Sequence, residues 1–225
     1  MTLEDNFLSK SLCMKCSLLV ICCLPVIFLS AFTCLQNTAV DPSVKISHRY
    51  NDTIIKNWVD DFKNFRDAVY RNDTAKLKSF FTFPLKDNDE IWYLVLSEKE
   101  METLSSKKEK WPAFTEQDFN KYYKKIFFPG FIKSILKIKS AELVKKNETE
   151  TPEIEEKGTP WVTTYKMYAK VDKKEHTLTL NLSSDTKEVD EKGEETGDGG
   201  ESNVIYTFRI LKNNHLQFLK VQIAG

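Results

Sequence analysis

The chain has 225 residues with 33 basic and 33 acidic side chains, a formal net charge of zero. That balance lacks the basic excess of nucleic-acid binders, so no nucleic-acid partner is expected. All five cysteines, Cys13, Cys16, Cys22, Cys23 and Cys34, lie at the N-terminal end, which excludes a disulfide framework, a thiolate metal site or a CxxC redox centre in everything that follows.

The N-terminal stretch reads as an address. Residues 16–32 (CSLLVICCLPVIFLSAF) are apolar and uncharged, longer than the core of most secretory signals and shorter than the roughly 20 residues that cross a bilayer. Read from Met14, Met-Lys leads straight into this run and Cys34 follows it. Residues 1–33 are then a signal segment whose true start is Met14. The order resembles a bacterial lipoprotein signal, which implies acylation of Cys34, export, and anchoring in the cell envelope through an N-terminal lipid. Phe32 and Thr33 stand where that pattern has small residues, so an uncleaved signal anchor and ordinary signal-peptidase cleavage remain as alternatives. Leu35, where an Asp would resemble an inner-membrane retention signal, favours the periplasm-facing side of the outer membrane.

Residues 34–47 read as a tether with a turn at Asp41-Pro42, and residues 48–225 as a single domain. The periodicity predicts a helix over 46–70, in which Ile54, Trp58, Phe62, Phe65 and Val69 form one apolar stripe. Asp60, Asp61 and Asp67 fall on its wet side. Asn72-Asp73-Thr74 ends that helix and caps a short second one over 75–81, which Phe83-Pro84-Leu85 stops. Residues 91–96 (IWYLVL), β-branched and aromatic, read as a strand. Thr115 and Asp118 form a capping-box-like start for a helix bearing Phe119, Tyr122, Tyr123, Ile126 and Phe127. Pro129-Gly130 breaks it, and Phe131, Ile132, Ile135 and Leu136 make a further helical stripe. The lysine clusters between 107 and 146 read as solvated helix faces.

Residues 145–158 read as a charged connection, after which the period becomes two. Trp161, Tyr165, Met167, Ala169 and Val171 share one strand face. Leu178, Leu180 and Leu182 line the next strand, with His176 in phase with them. Val204, Tyr206, Phe208 and Ile210 repeat the pattern, and residues 216–223 make a last strand after a tight turn at Asn213-Asn214. Residues 185–202, acidic and Gly-rich, read as a flexible hairpin loop unable to order itself. Their spacing does not fit an EF-hand. Helices followed by a four-stranded meander give an α+β class, with N-terminal helices packed on a curved antiparallel sheet.

The element order, together with the segment FRDAVYRNDTAKLKSFFTFPL, resembles the nuclear-transport-factor-2-like (SnoaL-like) superfamily over residues 53–225. That resemblance implies a cone-like sheet, a cavity between sheet and helices, and, in enzymes of the superfamily, an Asp or His base within it. Trp58, Phe62, Trp92, Tyr122, Trp161, Tyr165 and His176 are the candidates to line such a pocket. No strand position on an apolar face carries Asp or Glu, and neither a GxSxG motif nor a phosphate-cradling loop is present. No catalytic residue, metal or cofactor is therefore assigned. The expected function is an envelope lipoprotein whose domain binds a small apolar ligand or a partner protein; a small-molecule lyase or isomerase and a structural homodimer are the alternatives.

Overall fold

The computed structural model describes residues 55–106 and 110–225. The signal segment, Cys34, the tether and positions 46–54 of the first expected helix lie outside the described residues.

Helix α1 (Trp58–Arg71) starts later than the apolar stripe suggests. Asn57 accepts the backbone N–H groups of Val59 and Asp60 at 2.9 and 3.2 Å, and such a cap fixes the first turn where it stands. Asn72 closes the helix in the left-handed region, φ 54°, with its N–H on the carbonyls of Ala68 and Val69. Asp73 then caps α2 (Thr74–Lys78) by accepting Lys76 N–H at 3.0 Å.

The segment expected as a strand is helix α3 (Glu90–Val95). A short apolar run does not separate helix from strand by itself. Burial does: Ile91, Trp92 and Val95 are inside while Tyr93 is 51% exposed, a helical stripe rather than an alternation. The Trp92 indole N–H is met by the Pro112 carbonyl at 2.8 Å. Helix α4 (Glu98–Ser105), absent from the sequence reading, opens on a reciprocal box between Ser97 and Glu100. The expected box of Thr115 and Asp118 opens α5 (Glu116–Ile126) with both arms formed. Pro129 takes the first position of α6 (Pro129–Ile135), where its missing N–H costs nothing. Helix α7 (Ser140–Lys146) follows.

Residues 145–158 are more than a connection. They finish α7 and supply β1 (Glu148–Glu150) and β2 (Ile154–Lys157), both antiparallel to β3 (Trp161–Asp172). With β4 (Thr177–Val189), β5 (Glu195–Ile210) and β6 (Leu216–Ala224) they form one antiparallel sheet in the order β1-β3-β4-β5-β6, with β2 also on β3. The acidic segment is likewise ordered. Lys187 pairs Asp198, Glu188 pairs Gly197 and Val189 pairs Glu195. The Asp190 carboxylate closes the turn by accepting the N–H groups of Lys192 and Glu194, each at 2.8 Å. A ladder satisfies its backbone without burying its side chains, so the polar composition is no obstacle.

The inner sheet face carries Met167, Ala169 and Val171, then Leu178, Leu180 and Leu182, then Val204, Tyr206 and Phe208, all buried. On β6 the inward positions are Leu216, Phe218 and Val221; a register shift opposite Thr207 and Phe208 moves the parity by one. Above this face the helices contribute Phe62, Phe65, Phe80, Phe127 and Phe131, all at most 3% exposed. Rings thus fill the space between helices and sheet where a cavity was expected. Along β6, N–H groups that do not face β5 meet acceptors from the helical half: Leu216 with Asp61 at 2.7 Å, Phe218 with the Phe80 carbonyl at 2.7 Å, Val221 with Asn88 at 3.4 Å, and Ile223 with Glu90. Among the described residues no helix is long and apolar enough to cross a membrane.

Candidate functional site

The candidate residues separate into four environments. Phe62 is fully buried, beneath the Arg66 guanidinium at 5.4 Å from the ring centroid, out of reach of any ligand. Trp161 and Tyr165 lie on β3 apart from the clefts described below. Trp161 is 44% exposed at the strand's first residue, not packed as its phase suggested. The Tyr165 ring rests against Gly130 and Phe128. Trp58 and His176 meet across a cleft of about 950 Å³ at the turn end of the sheet. His176 is exposed in the β3–β4 turn with φ 50°, so it does not join the leucine face of β4. Cys34 lies outside the described residues.

Trp92 and Tyr122 share a cleft of about 620 Å³ between α3, α4 and α5. Three local features build it. The α3 helix turns Trp92 inward, where its ring stands edge-on to Phe114 at 5.0 Å and to Tyr122 at 6.4 Å. The two capping boxes fix the starts of α4 and α5 along the cleft. Leu96, Leu104, Pro112 and Ala113 complete an apolar lining.

Of the four charged side chains that line this cleft, Lys99, Glu100, Asp118 and Lys121, the last three are already committed. Glu100 accepts the Ser97 N–H at 2.9 Å and the Ser97 hydroxyl at 2.8 Å. The Ser97 backbone contact is the main reason its carboxyl lies below the ordinary range, helped by the Ser97 hydroxyl and by Lys125 and Lys121. The Asp118 carboxylate accepts the Thr115 N–H at 2.9 Å and the Thr115 hydroxyl at 2.5 Å. Lys121 donates to the Tyr122 hydroxyl, a contact that raises its ammonium pKa, and its Nζ stands 4.4 Å from that ring centroid. Lys125 reaches the Val95 carbonyl at 2.6 Å and lies 5.6 Å from the same ring. General acid–base catalysis needs a group free to take or give a proton at the reacting atom. Here both carboxylates cap helices, Glu100 with its carboxyl held below the ordinary range, and Lys121 is tied to Tyr122. The Tyr122 hydroxyl accepts from Lys121, which leaves its own proton for another acceptor. The cleft therefore offers an apolar floor with a donor-rich end, suited to binding.

Sequence reasoning also missed the pair Asp61 and His215. Asp61, assigned to the wet side of α1, is 1% exposed, with its Oδ2 2.9 Å from His215 Nδ1. The second ring nitrogen faces the Ser79 carbonyl at 3.0 Å. Neither residue lines the two clefts above, and with both nitrogens engaged the imidazole offers no free base. Among the described residues no group of three or more His, Cys, Asp or Glu side chains is placed to hold a metal ion. Helices and an open antiparallel sheet define an α+β protein with a cleft among its helices. No protein-family model, curated protein or solved structure matches the chain.

Proposed function

We propose that this is a non-enzymatic binding protein of the bacterial envelope, anchored through Cys34, whose helical cleft takes a small apolar ligand carrying one oxygen acceptor. The observation that carries the ligand reading is the placement of Trp92 and Tyr122 in one apolar cleft with Lys121 at its polar end. The nuclear-transport-factor-2-like resemblance is kept as part of this proposal, with the ligand moved from the sheet cavity to the helical cleft. The lyase or isomerase reading finds no uncommitted carboxylate or imidazole at the cleft to support it.

Anilinonaphthalene sulfonate, an apolar body with one anionic head, is the probe for the cleft. We expect saturable fluorescence enhancement that laurate competes away. Lys121→Ala combined with Tyr122→Phe should weaken the probe about tenfold or more, since a hydrogen bond to a charged group contributes about 1.5–3 kcal/mol. Equal affinity in the double variant, with its fold intact by circular dichroism, would sink the assignment of the cleft. The anchor has a separate test. Cells fed an alkyne fatty acid should label the wild-type protein and not Cys34→Ala; undiminished labelling of the variant rules the lipoprotein reading out.

A further inference from the structure

The pair of Asp61 and His215 joins three elements at the start of β6. Asp61 comes from α1, His215 from the β5–β6 turn, and the Ser79 carbonyl from the end of α2. Asp61 Oδ2 also accepts the Leu216 N–H, and the imidazole stacks on Phe80 with centroids 5.3 Å apart. Immediately downstream, Phe80 and Thr82 bond β6 through Phe218 and Gln217. Residues 79–82 thus run beside the first half of β6, with His215 fastening their upstream end.

Both groups facing the imidazole are acceptors. A neutral imidazole has one N–H and one lone pair, so beside a carboxylate it leaves one of its two contacts as lone pair against lone pair. Both contacts are satisfied only when the pair holds one further proton. That proton sits on the ring or on Asp61, and the two forms are one macroscopic state. Burial acts in the same sense. Asp61 Oδ1 is buried without a partner, a placement worse for an ionised carboxylate than for an acid. Desolvation raises the Asp61 carboxyl above its ordinary value, opposed by the Leu216 N–H, by His215 and by the charge of Lys76 from α2.

We propose that Asp61 and His215 form a one-proton latch that fastens β6 and residues 79–82 to α1, closed while the pair holds its proton and loosened when it leaves. The sign follows from linkage. A carboxyl raised in the folded state binds its proton more tightly there than in the unfolded chain. Its contribution is complete below the ordinary carboxyl value, about 3.9, and is lost as the pH rises through the raised value.

The double variant Asp61→Asn, His215→Asn separates the latch from simple packing. Asp61 Oδ2 meets both Leu216 and the ring, so in the double variant one amide oxygen in its place accepts both the Leu216 N–H and the NH₂ introduced at position 215, and the fastening is kept with no group left to titrate. The test is amide hydrogen exchange of the full chain in detergent micelles between pH 4.5 and 8, corrected for intrinsic rates. We expect protection at Leu216 and Phe218 to fall at least about fivefold with rising pH in the wild type and to stay level in the double variant, with a melting temperature falling by roughly 2–4 °C in the wild type alone. A wild-type profile without this loss, or the same loss in the double variant, overturns the latch.

Discussion

Replacing Phe65 with Ala is expected to cost about 3–5 kcal/mol of stability, the range for deleting a buried aromatic ring. The ring is fully buried and meets three others from different parts of the fold: Phe80 at 5.1 Å, Phe127 at 5.6 Å and Phe208 at 4.9 Å between centroids, all edge-on. Such contacts each add about 0.5–1.5 kcal/mol beyond buried area. The neighbours follow α2, end α5 and stand on β5, so their backbones are fixed independently and the hole has little room to close. Urea unfolding should show a lower midpoint with an unchanged slope, and melting should fall by roughly 10 °C or more. Tyr70→Ala on the same helix, where the side chain is 62% exposed, should stay within about 0.5 kcal/mol. Equal losses for the two would contradict the orientation of α1.

The second large effect is expected at Gly130. A Cβ there would stand 2.6 Å from two atoms of the Tyr165 ring, a separation no packed pair tolerates. Phe128 flanks that ring at 6.1 Å, which limits its retreat. Gly130→Val should therefore cost about 1–3 kcal/mol through overpacking. The companion measurement is the same substitution in a Tyr165→Ala background, where the ring is gone and most of that cost should vanish. A coupling energy near zero in the four-member cycle would mean that α6 does not seat on β3 through this contact.

Much of the architecture was legible because periodicity reports one-sided burial. Phe62, Phe65 and Val69 identified α1, and the alternating leucines of β4 identified its inner face. The Thr115–Asp118 box and the Asn213-Asn214 turn were readable because their chemistry is local. Misreadings occurred where composition imitated another state. Residues 91–96 have strand-like side chains, yet helix α3 directs Trp92 toward the Pro112 carbonyl, a partner 20 positions away that no local window contains. Residues 185–202 have the composition of a loop, but pairing across β4 and β5 supplies order that composition does not encode.

The candidate site was legible in its residue types and not in its grouping. Trp92 and Tyr122 line one cleft, but the elements that join them include α4, announced only by Ser97 and Glu100. Asp61 had a usable signal: it stands four residues before Phe65, hence on the same helical face. Reading it as wet followed from its charge, and its partner His215 lies too far along the chain for any spacing rule to link them.

The four acceptors set along β6 bear on how this protein behaves when crowded. An edge strand is where a second molecule adds its own strand and begins a polymer. Here Asp61, the Phe80 carbonyl, Asn88 and Glu90 already occupy the donors an incoming strand would need. Growth from this side requires the helical half to peel away first, so the tendency to form fibrils is tied to how firmly the helices grip β6. Conditions that weaken that grip without unfolding the sheet are those under which this protein would begin to self-assemble.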